Sequence, residues 1–459
     1  MTQSSLAEPV APRLAKDLRG RHVAMISIGG IIGAGLFVGS SAGIASIGPA
    51  VVVSYLLAGI VVLLVMRMLG EMAAAYPEVG AFSEYARLGL GDWAGFTAGW
   101  LYWYFWVVVV AIEAIAGAKV LSGWIDLPVW LIALALVLLM MTTNLWSARS
   151  YGEFEFWFAS IKVAAIIAFI LITGFYLIGH APQPNAALGG RLVNLTAHRG
   201  FAPFGTLSVL GGVTSVVFAL TGAEIATIAA AESAEPGKAI ARMTSQVVVR
   251  ILLFYVISIF LIVTLVPWTA IHSGDSPFAI TLERIGVPAA ALIMNLIVLT
   301  AVLSCLNSGL YVTSRVLFTL AARGDAPQAL VALNRRKVPT RAILIATVFA
   351  LLAGAPSMLG AEAVFTFLVN ASGALMLIVY GLVAAAEIPV RRKLEAEAPE
   401  KLTIRMWLFP AGSLLAILAI LAILTAMGLT ASLRPQLLSS LLVTAVALVA
   451  FLLFRRRPG

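Results

Sequence analysis

The stretch that decides the fold reads SIGGIIGAGLFVG, from Ser27 to Gly39. It lies inside the apolar run from His22 to Ile44, which can span a bilayer because a transmembrane helix needs about 20 residues. The stretch contains five glycines, and each costs roughly 1 kcal/mol relative to alanine inside a helix. Irregular backbone at mid-membrane depth is tolerated only where protein or a water-filled cavity satisfies its polar groups. The sequence therefore predicts a broken helix and a binding site at Gly33-Ala34-Gly35.

The composition of the whole chain is that of an integral membrane protein. Of its 459 residues, 61% are hydrophobic and 11% are charged, whereas a soluble domain is about 25% charged. The single cysteine, Cys305, excludes an intrachain disulfide. The first 20 residues contain no apolar segment, so we expect a polar tail rather than a cleaved signal peptide. Nothing in the chain resembles a nucleic-acid-binding module.

Hydropathy predicts an all-α protein with about twelve transmembrane helices. The predicted spans are 21–44, 48–74, 94–123, 128–147, 155–179, 206–231, 245–268, 288–318, 340–356, 364–388, 407–428 and 436–454. Of the 30 lysines and arginines, 24 fall in the two termini and in every second loop, which predicts that both termini are cytoplasmic. The loops on the other side are short, which argues against a receptor or a surface enzyme.

A second glycine-interrupted span predicts a two-sided site. Span six contains Gly211 and Gly212 and then Phe218-Ala219-Leu220-Thr221-Gly222 near mid-membrane depth. Spans one and six take corresponding places in two five-helix halves that run in opposite directions, and such a pair is the best sequence indicator of a transporter built from inverted repeats. We therefore expect a tail over 1–20, a transporter core over 21–388 with repeats at about 21–179 and 206–388, and two further helices with a basic tail over 389–459.

The two breaks suit a zwitterionic substrate. Free N–H groups after the break in span one carry positive helix-end charge and favour a carboxylate, while carbonyls ending the first half of span six favour an ammonium group. The alternative is that these glycines only allow close packing between helices, since Gly29/Gly33 and Gly35/Gly39 have the spacing of small-residue interfaces.

Several ionisable and polar residues lie deep in the predicted spans. Lys162 in span five is costly in a membrane, and it is either a proton carrier or a lysine that reaches back to the headgroups. Glu113 in span three either faces the cavity and attracts a substrate amine, or is a protonated structural group. Glu224 is expected to brace the broken span six by accepting backbone N–H bonds. Span eight has a polar face for the cavity or for helix contacts. Its members are Ser304, Asn307 and Ser308.

Two other residue types give weaker signals. In the cluster Trp100-Leu101-Tyr102-Trp103-Tyr104-Phe105-Trp106, we expect one or two aromatic side chains to reach the pocket and the rest to pack or to lie at the membrane interface. The four histidines, at positions 22, 180, 198 and 272, have no metal-binding spacing. We therefore expect neither a metal nor a cofactor, with a proton gradient as the driving force.

Several motifs resemble those of the amino acid permeases of the amino acid–polyamine–organocation superfamily, over about residues 20 to 455. They are Arg21-His22-Val23, residues 28–37, Gly48-Pro49-Ala50, residues 151–157, Ser314-Arg315-Val316-Leu317 and Arg323-Gly324-Asp325-Ala326-Pro327. Within that family, residues 100–106 and 222–233 are most similar to bacterial 4-aminobutyrate (GABA) permeases.

The resemblance implies a LeuT-type fold, with broken helices one and six in a 5+5 inverted repeat plus two C-terminal helices, and substrate–proton symport in a bacterial inner membrane. It implies that N–H groups of Gly33, Ala34 and Gly35 bind the substrate carboxylate. It implies that carbonyls of Ile31, Phe218 and Thr221 receive the amine, and that the Phe218 ring gates the outer side. Lys162 matches the family lysine that stands where sodium-coupled relatives bind their ion. Glu113 falls where relatives have a pocket-lining residue. Many relatives have Ser or Thr at the position of Ala34, so a hydroxyl donor is missing here.

The sequence thus predicts a monomeric, non-enzymatic, proton-coupled importer of GABA or related ω-amino acids that works by alternating access. A broader permease for neutral or aromatic amino acids is the alternative within the same class. A channel-like pore is a remote alternative, because the chain has no filter-forming repeat. A membrane enzyme is disfavoured because the deep ionisable residues form no nucleophile–base pair or metal cluster by spacing.

Overall fold

The structure is a computed structural model that describes residues 32–76, 82–146, 148–179, 192–222, 224 and 251–455. These residues form helices joined by short connections, and no β-strand occurs among them. The predicted tail over 1–20, Ile31 and residues 225–250 lie outside the described residues. An all-α fold is what the long apolar runs require, since a helix satisfies its own backbone inside a bilayer.

Twelve apolar helical segments follow one another along the described chain, and we number them as spans one to twelve. Their helices are Ala34–Phe37 followed by Gly39–Ile47, Val51–Ala75, Asp92–Leu121, Val129–Trp146, Ala148–Ile178, Gly205–Gly211 followed by Val213–Leu220, Ile251–Ile257 followed by Ser258–Leu265, Ala290–Ala322, Thr340–Gly354, Ala361–Glu397, Ala411–Leu429 and Arg434–Arg455. Eight apolar stretches are long enough to cross a membrane, and the first of these, Ala34–Ala75, contains spans one and two. The predicted number of spans agrees with this order.

Span three forms the centre of the bundle. Its helix is buried on all sides over most of its length, including Ile112, Glu113 and Ala116, and it packs against spans four, eight, nine and ten. A helix that is apolar all round belongs in the interior of a bundle. Spans five and twelve are far less buried and lie at the periphery. Side chains on span three can therefore reach the middle of the protein from several directions.

Span one is irregular where the glycines predicted it. Gly33 has φ −126° and ψ −149°, outside the helical region, and the helix begins only at Ala34. A second irregularity at Val38, with φ −121°, separates Ala34–Phe37 from Gly39–Ile47. The N–H groups of this first turn have no carbonyl four residues earlier to bond within a helix. They need partners from elsewhere in the protein.

Span six ends where its predicted interruption begins. The helix Val213–Leu220 is followed by Thr221 in an extended conformation, with φ −65° and ψ 150°. Gly222 then has φ +107°, in the left-handed region that favours glycine. The two irregular segments approach each other closely, because a Cβ added to Gly35 would come within 2.8 Å of the Ala219 Cα. Glycine at position 35 therefore has the packing role that the alternative interpretation gave it.

Candidate functional site

A small cavity lies between the two irregular segments. Its volume is about 20 Å³, which is room for about one water molecule. Five of its lining residues are among those predicted for substrate binding, and they are Gly33, Gly35, Glu113, Phe218 and Thr221. The other lining residues are Phe105, Trp106, Val109, Ala219 and Cys305. The fold thus brings the residues predicted from spans one, three and six to one place.

The Glu113 carboxylate occupies the free N-terminus of span one. The Ala34 N–H donates to both of its oxygens, at 3.1 Å to Oε1 and 3.0 Å to Oε2. Glu113 is 1% exposed, so this contact is shielded from water. A carboxylate at a helix N-terminus is stabilised by the N–H groups and by the helix dipole. The binding position predicted for a substrate carboxylate is therefore filled by the protein's own carboxylate.

Gly33 has no room for a side chain. A Cβ at this position would lie 2.5 Å from Glu113 Oε1 and 2.7 Å from the Cys305 Cβ. Its neighbours belong to spans three and eight, whereas those of Gly35 belong to span six, and both sets of residues line the cavity. Both glycines therefore allow close packing around the cavity, and a binding role for Gly33 stays a prediction. Ile31, whose carbonyl was predicted to bind an amine, lies outside the described residues.

The end of span six offers carbonyl groups on the other side of the cavity. The Val217 carbonyl accepts the Thr221 N–H at 3.0 Å and the Thr221 hydroxyl at 2.8 Å. The Phe218 carbonyl accepts the same N–H at 3.3 Å, near the limit for a hydrogen bond. Carbonyls in the last turn of a helix lack helical partners and form its negative end. The Phe218 side chain itself is buried against the cavity.

Glu224 binds the irregular backbone that follows span six. Its Oε2 accepts the Gly222 N–H at 2.9 Å and the Tyr380 hydroxyl at 3.1 Å, and its Oε1 accepts the Tyr102 hydroxyl at 3.2 Å. These donors come from spans three and ten and from the segment after span six. The carboxylate is thus held from three sides, which is the geometry of a brace.

Lys162 lies in a buried polar network between spans five and eight. Its Nζ donates to the Ser304 Oγ at 2.8 Å and lies 3.7 Å from Glu155 Oε1, and both charged side chains are fully buried. The Ser304 hydroxyl lies 2.7 Å and 2.8 Å from the two Glu155 oxygens, and the Ser308 hydroxyl donates to Glu155 Oε2 at 3.2 Å. The lysine is therefore paired with a carboxylate inside the protein and does not reach to the headgroups.

Glu155 is the functional candidate that sequence reasoning missed. It stands in the quoted motif at residues 151–157, seven residues before Lys162. Seven residues are about two helical turns, which places both residues on one face. Because a buried lysine is rarely left unpaired, this spacing was a usable signal for its partner.

The buried network of Lys162, Glu155, Ser304 and Ser308, which we call the lysine network, adjoins the cavity through Cys305. The Cys305 side chain is in hydrogen-bond contact with Glu113 and within electrostatic range of Lys162 and Glu155. Lys162 is also within electrostatic range of Glu113. A change of charge at Lys162 would therefore act on the carboxylate that binds Ala34.

Asn307 belongs to a different cluster from the two serines. Its Oδ1 accepts the Asn144 side-chain amide at 2.7 Å and the Thr143 hydroxyl at 3.1 Å, and both donors lie on span four. Interhelical hydrogen bonds of this kind hold membrane helices together. Of the predicted polar face on span eight, Ser304 and Ser308 reach the lysine network, and Asn307 joins span eight to span four.

Contacts on the C-terminal half of span one involve the segment after span seven. The Gly274 N–H donates to the Ser41 Oγ at 2.8 Å, and Lys119 Nζ lies 3.9 Å from Asp275 Oδ1. At the opposite end of the bundle, Arg87 pairs with Asp325 at 2.5 Å. Burial raises the pKa of the Asp325 carboxyl, and the neighbouring Arg87 opposes that effect.

Among the described residues, no group of three or more His, Cys, Asp or Glu side chains is arranged to hold a metal ion. What the arrangement offers is a helix N-terminus for a carboxylate, a helix C-terminus for an ammonium group and an adjacent buried lysine–glutamate pair. Such an arrangement suits a small zwitterion and a proton.

Comparison with known proteins agrees with this chemistry. The family description "Amino acid permease" matches residues 22–458. The gamma-aminobutyric acid permease of Bacillus subtilis is 49% identical over 445 residues, covering 97% of this chain and 94% of that protein. A probable GABA permease of Pseudomonas aeruginosa is 46% identical over 448 residues, covering 97% and 93%.

A relative that is named for a different substrate is also similar to this chain. The aromatic amino acid transport protein AroP of Corynebacterium glutamicum is 38% identical over 440 residues, covering 95% of this chain and 93% of that protein. These relatives are transporters, and nearly their whole length is represented here. The chain is a multi-pass membrane protein that transports amino acids, and it belongs to the amino acid permease family.

Proposed function

We propose that this protein imports GABA or a closely related ω-amino acid together with protons, by alternating access. The observation that carries the proposal is the Ala34–Glu113 contact, in which a helix N-terminus inside the membrane already binds a carboxylate. The relatives named as GABA permeases support the choice of substrate. The permease for aromatic amino acids supports a broader specificity as the second candidate.

The substrate would bind across the two breaks. Its carboxylate would take the Ala34 N–H in place of Glu113, and its ammonium group would contact carbonyls at the end of span six, those of Phe218 and Thr221. A cavity of about 20 Å³ is several times too small for a molecule of this size, so the cavity must widen before substrate binds. Opening requires that Phe218 or the first turn of span one moves.

Protons would be coupled through Lys162. In its charged state the ammonium is held by Ser304 and Glu155. Loss of its proton would leave Glu155 as an uncompensated buried charge, which is costly and favours a different arrangement of spans one, five and eight. Lysine suits this role because burial and neighbouring charges readily shift the pKa of a lysine. The cytoplasmic termini, the inner-membrane location and a monomeric state are parts of the same proposal.

Uptake by purified protein in liposomes tests the proposal. Labelled GABA should accumulate when the outside is more acidic than the inside, and should not accumulate when a protonophore removes the gradient. Accumulation that ignored the gradient would contradict proton coupling. Competition by unlabelled GABA, leucine and phenylalanine separates the two candidate specificities. All three should inhibit the uptake of labelled GABA to a similar degree if the permease is broad.

A further inference from the structure

Two buried carboxyl groups on spans two and ten lie near each other, and neither of them lines the substrate cavity. Glu71 is 1% exposed and Glu387 is 0% exposed. Glu387 lies four residues before Arg391 on span ten, so the two side chains share a helix face, and Arg391 pairs with Glu71. The two carboxyls are therefore neighbours that interact electrostatically. Two ionised carboxylates repel each other in a low-dielectric interior, and a proton on one of them removes that repulsion.

The remaining partners of the pair leave one oxygen on each side chain unsatisfied. Glu71 Oε2 accepts from the Arg391 guanidinium and from the Met406 N–H, and Glu387 Oε2 accepts from the Ser413 hydroxyl at 2.8 Å. The Oε1 atoms of both glutamates are buried and receive no donor from the described residues. An unsatisfied buried oxygen costs about 1–3 kcal/mol, and a proton on one of the two carboxyls would lower that cost.

The charges around the pair point to the same number of protons. Arg391 is the cation in direct contact with Glu71, and its other edge pairs with the half-exposed Glu395 at 2.8 Å. On span two, Arg67 lies within electrostatic range of Glu71, and its guanidinium donates to the Arg405 carbonyl. Counted together, Glu71, Glu387, Glu395, Arg391 and Arg67 are neutral only if the carboxyls hold one proton between them.

We propose that Glu71 and Glu387 share one proton and form a proton-binding site at the contact between span two, span ten and the segment that leads into span eleven. The site is separate from the lysine network and does not depend on the proposed substrate. Removing the proton places two negative charges in contact in a low-dielectric interior, where their repulsion is strong. Stability that the proton provides is present at low pH and is lost as the pH rises through the titration of the pair.

Infrared spectroscopy and thermal unfolding of the full-length protein in nanodiscs test the proposal. The wild-type spectrum should contain a protonated-carboxyl C=O band that titrates at high pH, and the variant Glu387→Gln should lack that band. The amide introduced by this substitution donates to Glu71 without a titratable proton. The melting temperature of the wild type should fall from acidic to alkaline pH, and that of the variant should fall much less. Glu395→Gln is the matched control on the same helix, and it should retain both the band and the pH dependence.

A second variant covers the case in which Glu387→Gln does not fold. Ser413→Ala keeps both carboxyls and removes the hydroxyl donor to Glu387, so it should move the frequency of the C=O band and the pH at which the band disappears. A spectrum in which Glu387→Gln, or Ser413→Ala in its place, matches the wild type at every pH would overturn the proposal. The outcome is independent of GABA uptake, which tests the proposed function separately.

Discussion

The break in span one and the break in span six each place a carboxylate on a backbone N–H, but the two carboxylates are held differently. Glu113 comes from span three, contacts the Ala34 N–H and lines the cavity. Glu224 lies two residues from the Gly222 N–H that it binds, and two tyrosine hydroxyls from spans three and ten fix it. In the proposed function, the first carboxylate is exchanged for that of a substrate, while the second is part of the scaffold.

This difference suggests a separate function for each end of the site. An exchangeable carboxylate at span one gives a place where substrate binding and internal charge compete. A fixed carboxylate at span six keeps the helix end in one geometry, so that its carbonyls remain aimed at the cavity. Experiments that exchange the properties of the two ends test the assignment.

The largest effect is expected from Gly33→Val. The added side chain would overlap with Glu113 Oε1 and Cys305, so it should abolish GABA binding and uptake. Gly39→Ala in the same span is the matched control, because a Cβ there meets its nearest neighbour at an ordinary 3.4 Å. Binding of labelled GABA to both purified variants is the measurement. Retained affinity in Gly33→Val would return this glycine to a packing role.

Lys162→Ala should separate transport from the proton gradient. Removing the ammonium leaves Glu155 buried without its cation, and a one-sided removal from a buried pair costs about 3–5 kcal/mol. We expect loss of gradient-driven accumulation, while counterflow of GABA in liposomes without a gradient persists. Ser160→Ala on the same helix, whose hydroxyl bonds only the local Phe156 carbonyl among the described residues, is the control. Normal gradient-driven uptake by Lys162→Ala would show that the proton is carried elsewhere.

Glu113→Gln should strengthen GABA binding at neutral pH. A neutral amide is a weaker competitor than a carboxylate for the Ala34 N–H, and hydrogen bonds to charged groups are roughly twice as strong as neutral ones. A difference of about 1.4 kcal/mol corresponds to roughly a tenfold lower Kd. Isothermal titration of the purified variant with GABA measures it. Weaker binding in this variant would support the other role predicted for Glu113, attraction of the substrate amine.

The smallest effect is expected from Tyr380→Phe at the other break. It removes one of two hydroxyl donors to Glu224, which costs about 1.5–3 kcal/mol for a hydrogen bond to a charged group. The melting temperature should fall by several degrees, while the pH dependence of GABA uptake stays that of the wild type. Tyr255→Phe, at a buried tyrosine whose ring lies 6.3 Å from that of Tyr55, serves as a comparison of stability alone. A changed pH dependence in Tyr380→Phe would mean that the span-six carboxylate also exchanges protons.

The fold was largely predictable because it follows from one-dimensional patterns. Apolar runs gave the number and order of the spans, and glycines gave the positions of the two breaks, at Gly33-Ala34-Gly35 and after Phe218. These features depend on the cost of leaving backbone groups without hydrogen bonds in a bilayer, and each helix satisfies its own backbone groups.

The partners within the site were less predictable because they depend on how helices rotate against one another. Sequence placed Glu113 in the cavity but could not show that its carboxylate reaches the Ala34 N–H from 79 residues away. It left open whether Asn307, Ser304 and Ser308 line the cavity or join helices, and helical rotation directs Asn307 to the helix contact with span four. It missed Glu155, whose importance comes from its contact with Lys162 rather than from its type.

The most direct test follows the two backbone amides by nuclear magnetic resonance. In protein labelled at Ala34 and at Gly222, GABA should shift the Ala34 amide signal, because one carboxylate replaces another at that N–H. The Gly222 signal should stay in place, because Glu224 remains bound. A shift at Gly222 with none at Ala34 would contradict the account.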